Sequence, residues 1–112
     1  MIFKQRQDGE YTIIELSGRL TVNDDAGVLR ETVADTVRKG SRQVLLDLSG
    51  VHYIDSTRLG ELISAHVSLM RQGGVLKLVG TPGKIRELLH VAGLDRVFSC
   101  FDTVEDAMRL RI

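Results

Sequence analysis

The chain has 112 residues, room for one compact domain and too few for two ordinary ones. With 43% apolar and 27% charged residues it has a globular composition, able to bury a core without metal or disulfide staples. Fifteen Lys and Arg balance fifteen Asp and Glu, which argues against a phosphate-coating nucleic-acid binder, and no apolar run approaches the ~20 residues of a membrane span. In chain order, Ile2 to Gln5 and Tyr11 to Ser17 read as two strands joined by a hairpin at Asp8-Gly9, the second strand stopping at Gly18. From Asp24 to Lys39 the period becomes helical, with Ala26, Leu29, Val33 and Val37 on one face and Gly40 as the stop. Val44 to Leu48 is a short apolar run in the style of a strand covered on both faces.

Leu59, Leu62, Ile63, His66 and Met70 define a second amphipathic helix, closed by Gly73-Gly74. Val75 to Val79 is a further buried strand. Thr81 is an N-cap candidate and Pro82 suits a first helical position, so a helix is expected over 82–92, ended by Gly93. Arg96 to Ser99 reads as a last short strand, and Thr103 with Asp106 gives a capping-box-like start to a helix reaching Arg109. The order ββαβαβαβα favours parallel crossovers, with the hairpin as an antiparallel edge. The expectation is an α/β domain over residues 1–112, with a mixed, mostly parallel sheet and about four helices.

Enzyme and metal patterns are scarce. Gly80-Thr-Pro-Gly-Lys84 is too short for a phosphate loop and has Ile85 where Ser or Thr must hold magnesium. His52, His66 and His90 show no i,i+4 pairing, and Cys100 has no second cysteine beside it, so no metal and no cofactor is expected. His66, on the apolar stripe, reads as a core-edge histidine with a hydrogen-bond partner; His52 and His90 read as solvated. Asp24 and Asp25 complement a helix dipole. The best catalytic pair available, Ser56 with His52, has no sign of an oxyanion site, so no catalysis is expected. A lone cysteine and an N-terminus unlike a signal peptide make the cytoplasm the expected location.

Asp55-Ser56-Thr57 stands out, at the point where a buried strand gives way to a periodic helix. One residue of the three is the N-cap; three in succession, two with hydroxyls, exceed what a cap needs. Unpaired backbone N–H groups and the positive end of the dipole lie at such a start. A phosphate there, with a charge of about −1.5 to −2, is tolerated by the fold, while a docked partner feels the full change.

The run Leu46-Asp-Leu-Ser-Gly-Val-His-Tyr-Ile-Asp-Ser-Thr-Arg-Leu-Gly60 resembles the STAS domains, and within them the bacterial anti-sigma factor antagonists. Leu16-Ser-Gly-Arg-Leu20 followed by Val28-Leu-Arg-Glu31, then Arg71 to Val79, and Ile85 to Leu94 with Val97-Phe98, are similar in the same order. The resemblance implies a partner-switching protein that captures an anti-sigma factor, itself a serine kinase, and so releases a sigma factor. It implies Ser56 as the phosphorylated hydroxyl, with Thr57 as the alternative, and a PP2C-like phosphatase that reverses the modification. Asp55, Ser56, Thr57, Arg58, Leu59 and Gly60, with Thr21 and Asp24, are the implied partner-binding residues. The alternative within the same fold is a non-switching scaffold or a subunit of a transporter or signalling assembly. Two departures from the family pattern fall on this face: Arg58 replaces the usual Gly, and Thr21 stands where an acidic residue is common. A long cation beside the acceptor suggests a clamp for phosphoserine or, equally, an obstruction or redirection of the kinase.

Overall fold

A computed structural model describes residues 2–20 and 27–109. The first strand, β1 (Ile2–Asp8), pairs antiparallel with β2 (Tyr11–Leu20), Asp8 facing Tyr11. The connecting turn is therefore Gly9-Glu10, one residue later than the Asp-Gly signal suggests, and Gly9 takes φ 61° in it. The third strand, β3 (Gln43–Ile54), lies parallel to β2 on one side and to β4 (Val75–Val79) on the other; β5 (Ser99–Phe101) completes a sheet in the order β1-β2-β3-β4-β5. The expected mixed sheet, mostly parallel with an antiparallel hairpin, is present.

Two strands run further than the sequence signals. Gly18 does not end β2: it takes φ 98°, the register with β3 shifts around it, and Arg19 and Leu20 go on to pair with Tyr53 and Ile54. Likewise Ser49-Gly50 does not end β3. A Cβ at Gly50 would lie 2.8 Å from the Ser17 Cβ, so this glycine serves close approach between neighbouring strands and not a turn.

Helices α1 (Val28–Arg38), α2 (Ser56–Arg71) and α3 (Gly83–Val91) bury Leu29, Val33, Leu62, Leu69, Ile85 and Leu89 against Ile14, Leu16, Leu46 and Leu78 of the sheet. Helix α1 starts later than Asp24; Thr21, Asp24, Asp25 and Ala26 lie outside the described residues. On α2 the buried stripe takes Ala65 and Leu69, while Ile63 is half-buried and Met70 is 56% exposed, so Met70 is not core. Pro82 is the residue before α3 and not its first, and it supplies no side-chain cap. Thr81 does not cap it either: its buried hydroxyl has no hydrogen-bond partner among the described residues. The segment 96–98 is not a strand, because the chain turns over residues 95–97 to bury Phe98 before β5 begins.

Strand side chains alternate between faces, so Ile13, Leu45 and Val79 meet the short helix α4 (Val104–Arg109) on the opposite side through Val104 and Ala107. Six residues cannot hold a helix alone. Thr103 Oγ1 accepts the Asp106 N–H (3.1 Å), as its sequence position suggests. At the other end Lys77 Nζ donates to the Ala107 carbonyl (2.7 Å) and Tyr11 Oη to that of Met108 (3.0 Å). Lys77 is 2% exposed with Nζ 5.3 Å from the centre of the Phe101 ring, and burial lowers its pKa.

His66 packs on Phe98 with ring centres 5.0 Å apart, and its buried Nδ1 has no partner among the described residues, contrary to the expected hydrogen bond. Burial lowers its pKa below 6.5. The unfolded chain therefore binds this proton more readily than the folded one, and stability falls as pH drops below about 6.5, levelling off beneath the folded pKa. Urea titrations at pH 7.5 and pH 5 are expected to show a smaller acid loss for His66→Leu than for the parent; equal losses would remove His66 as the cause.

Candidate functional site

β3 delivers the chain to the end of the sheet, where Ile54 is buried and Asp55 stops the strand. Asp55 keeps extended angles (φ −91°, ψ 173°), and its Oδ1 accepts the Arg58 N–H at 2.8 Å, making it the N-cap of α2 among the three candidates. Ser56 and Thr57 are then the first two helical residues, and both are exposed. Leu59 turns into the core, whereas Gly60 is exposed with open space where a Cβ would stand. The two hydroxyls thus face solvent at a positive helix end, next to a carboxylate and above a bare turn. Such a site presents a hydroxyl for modification or a surface for docking.

Arg58 departs from the expected clamp. Its side chain is 3% exposed, and Nη1 donates to Glu61 Oε2 at 2.6 Å, a carboxylate itself only 8% exposed. Residues two apart on a helix do not face each other, so a buried Arg58 and an exposed Ser56 diverge. The other Glu61 oxygen, Oε1, accepts the backbone N–H of Arg30 at 2.8 Å, in the first turn of α1. That turn has no cap of its own: Gly27 precedes it with φ 78° and no side chain to offer. Glu61, absent from the sequence-based candidates, therefore caps a neighbouring helix. Its spacing of three from Arg58 was the available signal; its role for α1 had none.

Beside the loop, β2 and β3 bring Arg19 against Tyr53, the guanidinium carbon 4.8 Å from the ring centre, with Tyr53 45% exposed. His52 is exposed on the same strand, and no hydrogen bond among the described residues joins it to Ser56. His90 is exposed too, but holds the Asp95 carboxylate (2.9 Å), which lowers the Asp95 pKa. Among the described residues no group of three or more His, Cys, Asp or Glu converges on a metal position. Cys100 is a half-buried thiol whose pKa burial raises. Thr21 and Asp24 lie outside the described residues; Leu20 and Gly27 bound that segment. No described helix is long and apolar enough to cross a membrane.

Removing Arg58 strands a buried carboxylate. Arg58→Ala is expected to cost about 3 kcal/mol of unfolding free energy, with a smaller loss for the apolar, similarly long Arg58→Met. Urea unfolding of both variants checks this; no loss in Arg58→Ala would mean that the Glu61 pair contributes nothing.

Known proteins share this fold. The family model described as the STAS domain matches residues 3–107. The anti-sigma-B factor antagonist of Bacillus subtilis is 31% identical over 81 residues, 72% of each chain. The crystal structure of a candidate anti-sigma factor antagonist from Thermotoga maritima superimposes with a TM-score of 0.87 at 29% identity, covering 96% of this chain and 92% of that one. The Bacillus cell-fate determinant SpoIIAA, in its phosphorylated form, has the same fold at a TM-score of 0.75 and 19% identity, covering 98% of this chain and 100% of that one. With the family model spanning nearly the whole chain and the same sheet and helices in place, the protein belongs to the STAS domain family.

Proposed function

We propose that the protein is an anti-sigma factor antagonist that works by partner switching, without catalysis of its own. Unphosphorylated, it captures an anti-sigma factor that is itself a serine kinase, and a sigma factor is released. The kinase phosphorylates Ser56, with Thr57 as the lesser alternative, and a PP2C-like phosphatase restores the binding state. The observation that carries this reading is the exposure of Ser56 at the first position of α2, immediately after an Asp55 side chain already engaged as the cap. The relatives named as antagonists support it, and so does a neighbour of the same fold that exists in a phosphorylated form.

The chemistry is economical. A phosphoserine at the first helical position adds about −1.5 to −2 charge where the helix dipole favours an anion. Since Ser56 is exposed, the phosphate stays hydrated and the core is untouched. A partner covering the loop would instead have to bury or oppose it. In this reading Asp55, Ser56, Thr57, Arg58, Leu59 and Gly60 act together with the undescribed Thr21 and Asp24. Within that set Leu59 supports from the core, and Gly60 leaves the turn beneath Ser56 open. With balanced charge, neither nucleic acid nor membrane is the proposed partner, and the cytoplasm is the proposed location.

The test is to mix the protein with Mg-ATP and each candidate anti-sigma kinase from the same genome, and to follow intact mass and complex formation. One added phosphate is expected, lost in Ser56→Ala and retained in Thr57→Ala. The phosphorylated form is expected to bind at least about a hundredfold more weakly, ~2.8 kcal/mol at tenfold per 1.4 kcal/mol. A stable complex that is never phosphorylated would assign the protein to the non-switching scaffolds, and absence of both complex and phosphate would overturn the reading.

A further inference from the structure

The interior behind the loop contains a polar chain that the fold does not need for its core. It runs from the Asp55 carboxylate to the Arg58 N–H (2.8 Å), from the Arg58 guanidinium to Glu61 Oε2 (2.6 Å), and from Glu61 Oε1 to the Arg30 N–H of α1 (2.8 Å). Both charged side chains are nearly sealed from water. A buried ion pair of this kind is seldom the cheapest way to fill space, since apolar residues of similar volume often serve stability as well or better. What apolar residues cannot do is cap a helix. α1 begins at a glycine in the left-handed region with no side-chain cap, and among the described residues it is a Glu61 oxygen that reaches the first-turn N–H of Arg30.

We propose that Glu61 is a positioning residue that ties the start of α1 to the start of α2, and that Arg58 is present to hold the Glu61 carboxylate in place. The Glu61–Arg30 contact sets the two helix starts side by side, and α2 carries the exposed Ser56. Tied together they are one surface, and a partner whose footprint straddles both meets a fixed register. The functional part of this inference rests on the reading of Ser56 and its neighbours as the docking face. The coupling itself lies within one chain and does not depend on which partner binds. It also assigns the residue that departs from the family pattern: Arg58 orients a carboxylate toward α1 and is not a receptor for phosphate.

Amide hydrogen exchange of the unmodified protein tests the coupling by a double-mutant cycle. Loosening the α2 cap with Asp55→Ala is expected to speed exchange at Arg30 in α1 by about fivefold, the effect of losing part of a cap. In a Glu61→Ala background, where Arg30 already exchanges faster, adding Asp55→Ala should change Arg30 by less than about 1.5-fold, within the additivity error of unlinked sites. Glu61→Gln, which keeps an oxygen for the Arg30 N–H, should restore most of the protection that Glu61→Ala removes. Should Glu61→Ala fail to fold, Arg58→Met cuts the same chain one link earlier and is expected to abolish the Arg30 response. An Arg30 amide that ignores Asp55→Ala in the parent, or responds equally in the cut backgrounds, would overturn the proposal. Because no kinase takes part, a failure of the phosphorylation assay leaves this result standing, and the reverse holds too.

Discussion

The structure depends on the pairing of β3 along both of its edges. Its first half, Gln43 to Asp47, is held by β2 on one side and β4 on the other, with Val44, Leu45 and Leu46 buried. Its second half outruns β4, which ends at Val79, and pairs with β2 alone. This overhang carries the chain past the end of the sheet before Asp55 turns it into α2. A strand ending at Leu48 would have started the helix lower, over the core, where the hydroxyls of Ser56 and Thr57 would meet the apolar layer. Gly50, pressed against Ser17, and Gly80, which leaves β4 with φ 62° beside Ser49, are two places where the overhang requires a residue without a side chain.

A second constraint follows from where the polar groups lie. On the α4 side, Lys77 and Tyr11 reach across the sheet to bind the carbonyl end of a six-residue helix, so a lysine buried at some electrostatic cost doubles as its C-terminal cap. On the other side, Glu61 does the equivalent at the N-terminal end of α1. Each of these ends is held by a side chain from a neighbouring element, and at α1 Gly27 offers no side chain of its own. The charge signs agree with the helix dipole, a carboxylate at an N-terminus and an ammonium at a C-terminus. Among the described residues, the buried charges of Lys77 and Glu61 thus sit where they join separate elements.

Much of the architecture was legible in the order of apolar periods. Leu29, Val33 and Val37 on α1, the continuous Val44 to Leu48 run, and the Gly73-Gly74 stop of α2 each announced its element because local pattern and burial agree there. The errors lie where a long-range contact overrides a local signal. Gly18 and Ser49-Gly50 look like breaks, but the pairing of Ser17 with Gly50 and of Arg19 with Tyr53 carries both strands through. Arg96 to Ser99 reads locally as a strand, whereas the burial of Phe98 against His66 sets the path of that segment. At the site, the Asp55 cap and the exposed hydroxyls were within reach of the sequence. The pairing of Arg58 with Glu61 had only its spacing of three as a signal, and the reach of Glu61 to a helix 31 residues earlier in the chain had none.

Surface and interior divide the labour in the proposed switch. Small domains have only about 5–15 kcal/mol of net stability, so a dianion introduced into the apolar layer would threaten the fold itself. Placing the acceptor at an exposed first helical position removes that threat, since the phosphate remains in water and the helix N-terminus favours it. The same placement leaves the energetic consequence with whatever docks, where covering a hydrated dianion without a cation to match it costs several kcal/mol. Arg58, the nearest cation in sequence, is already engaged with Glu61 behind the loop, so the guanidinium that a clamp would need is held inside the domain. A phosphate on Ser56 would thus be felt more by an incoming partner than by the protein that bears it, and a reversible partner switch needs that asymmetry.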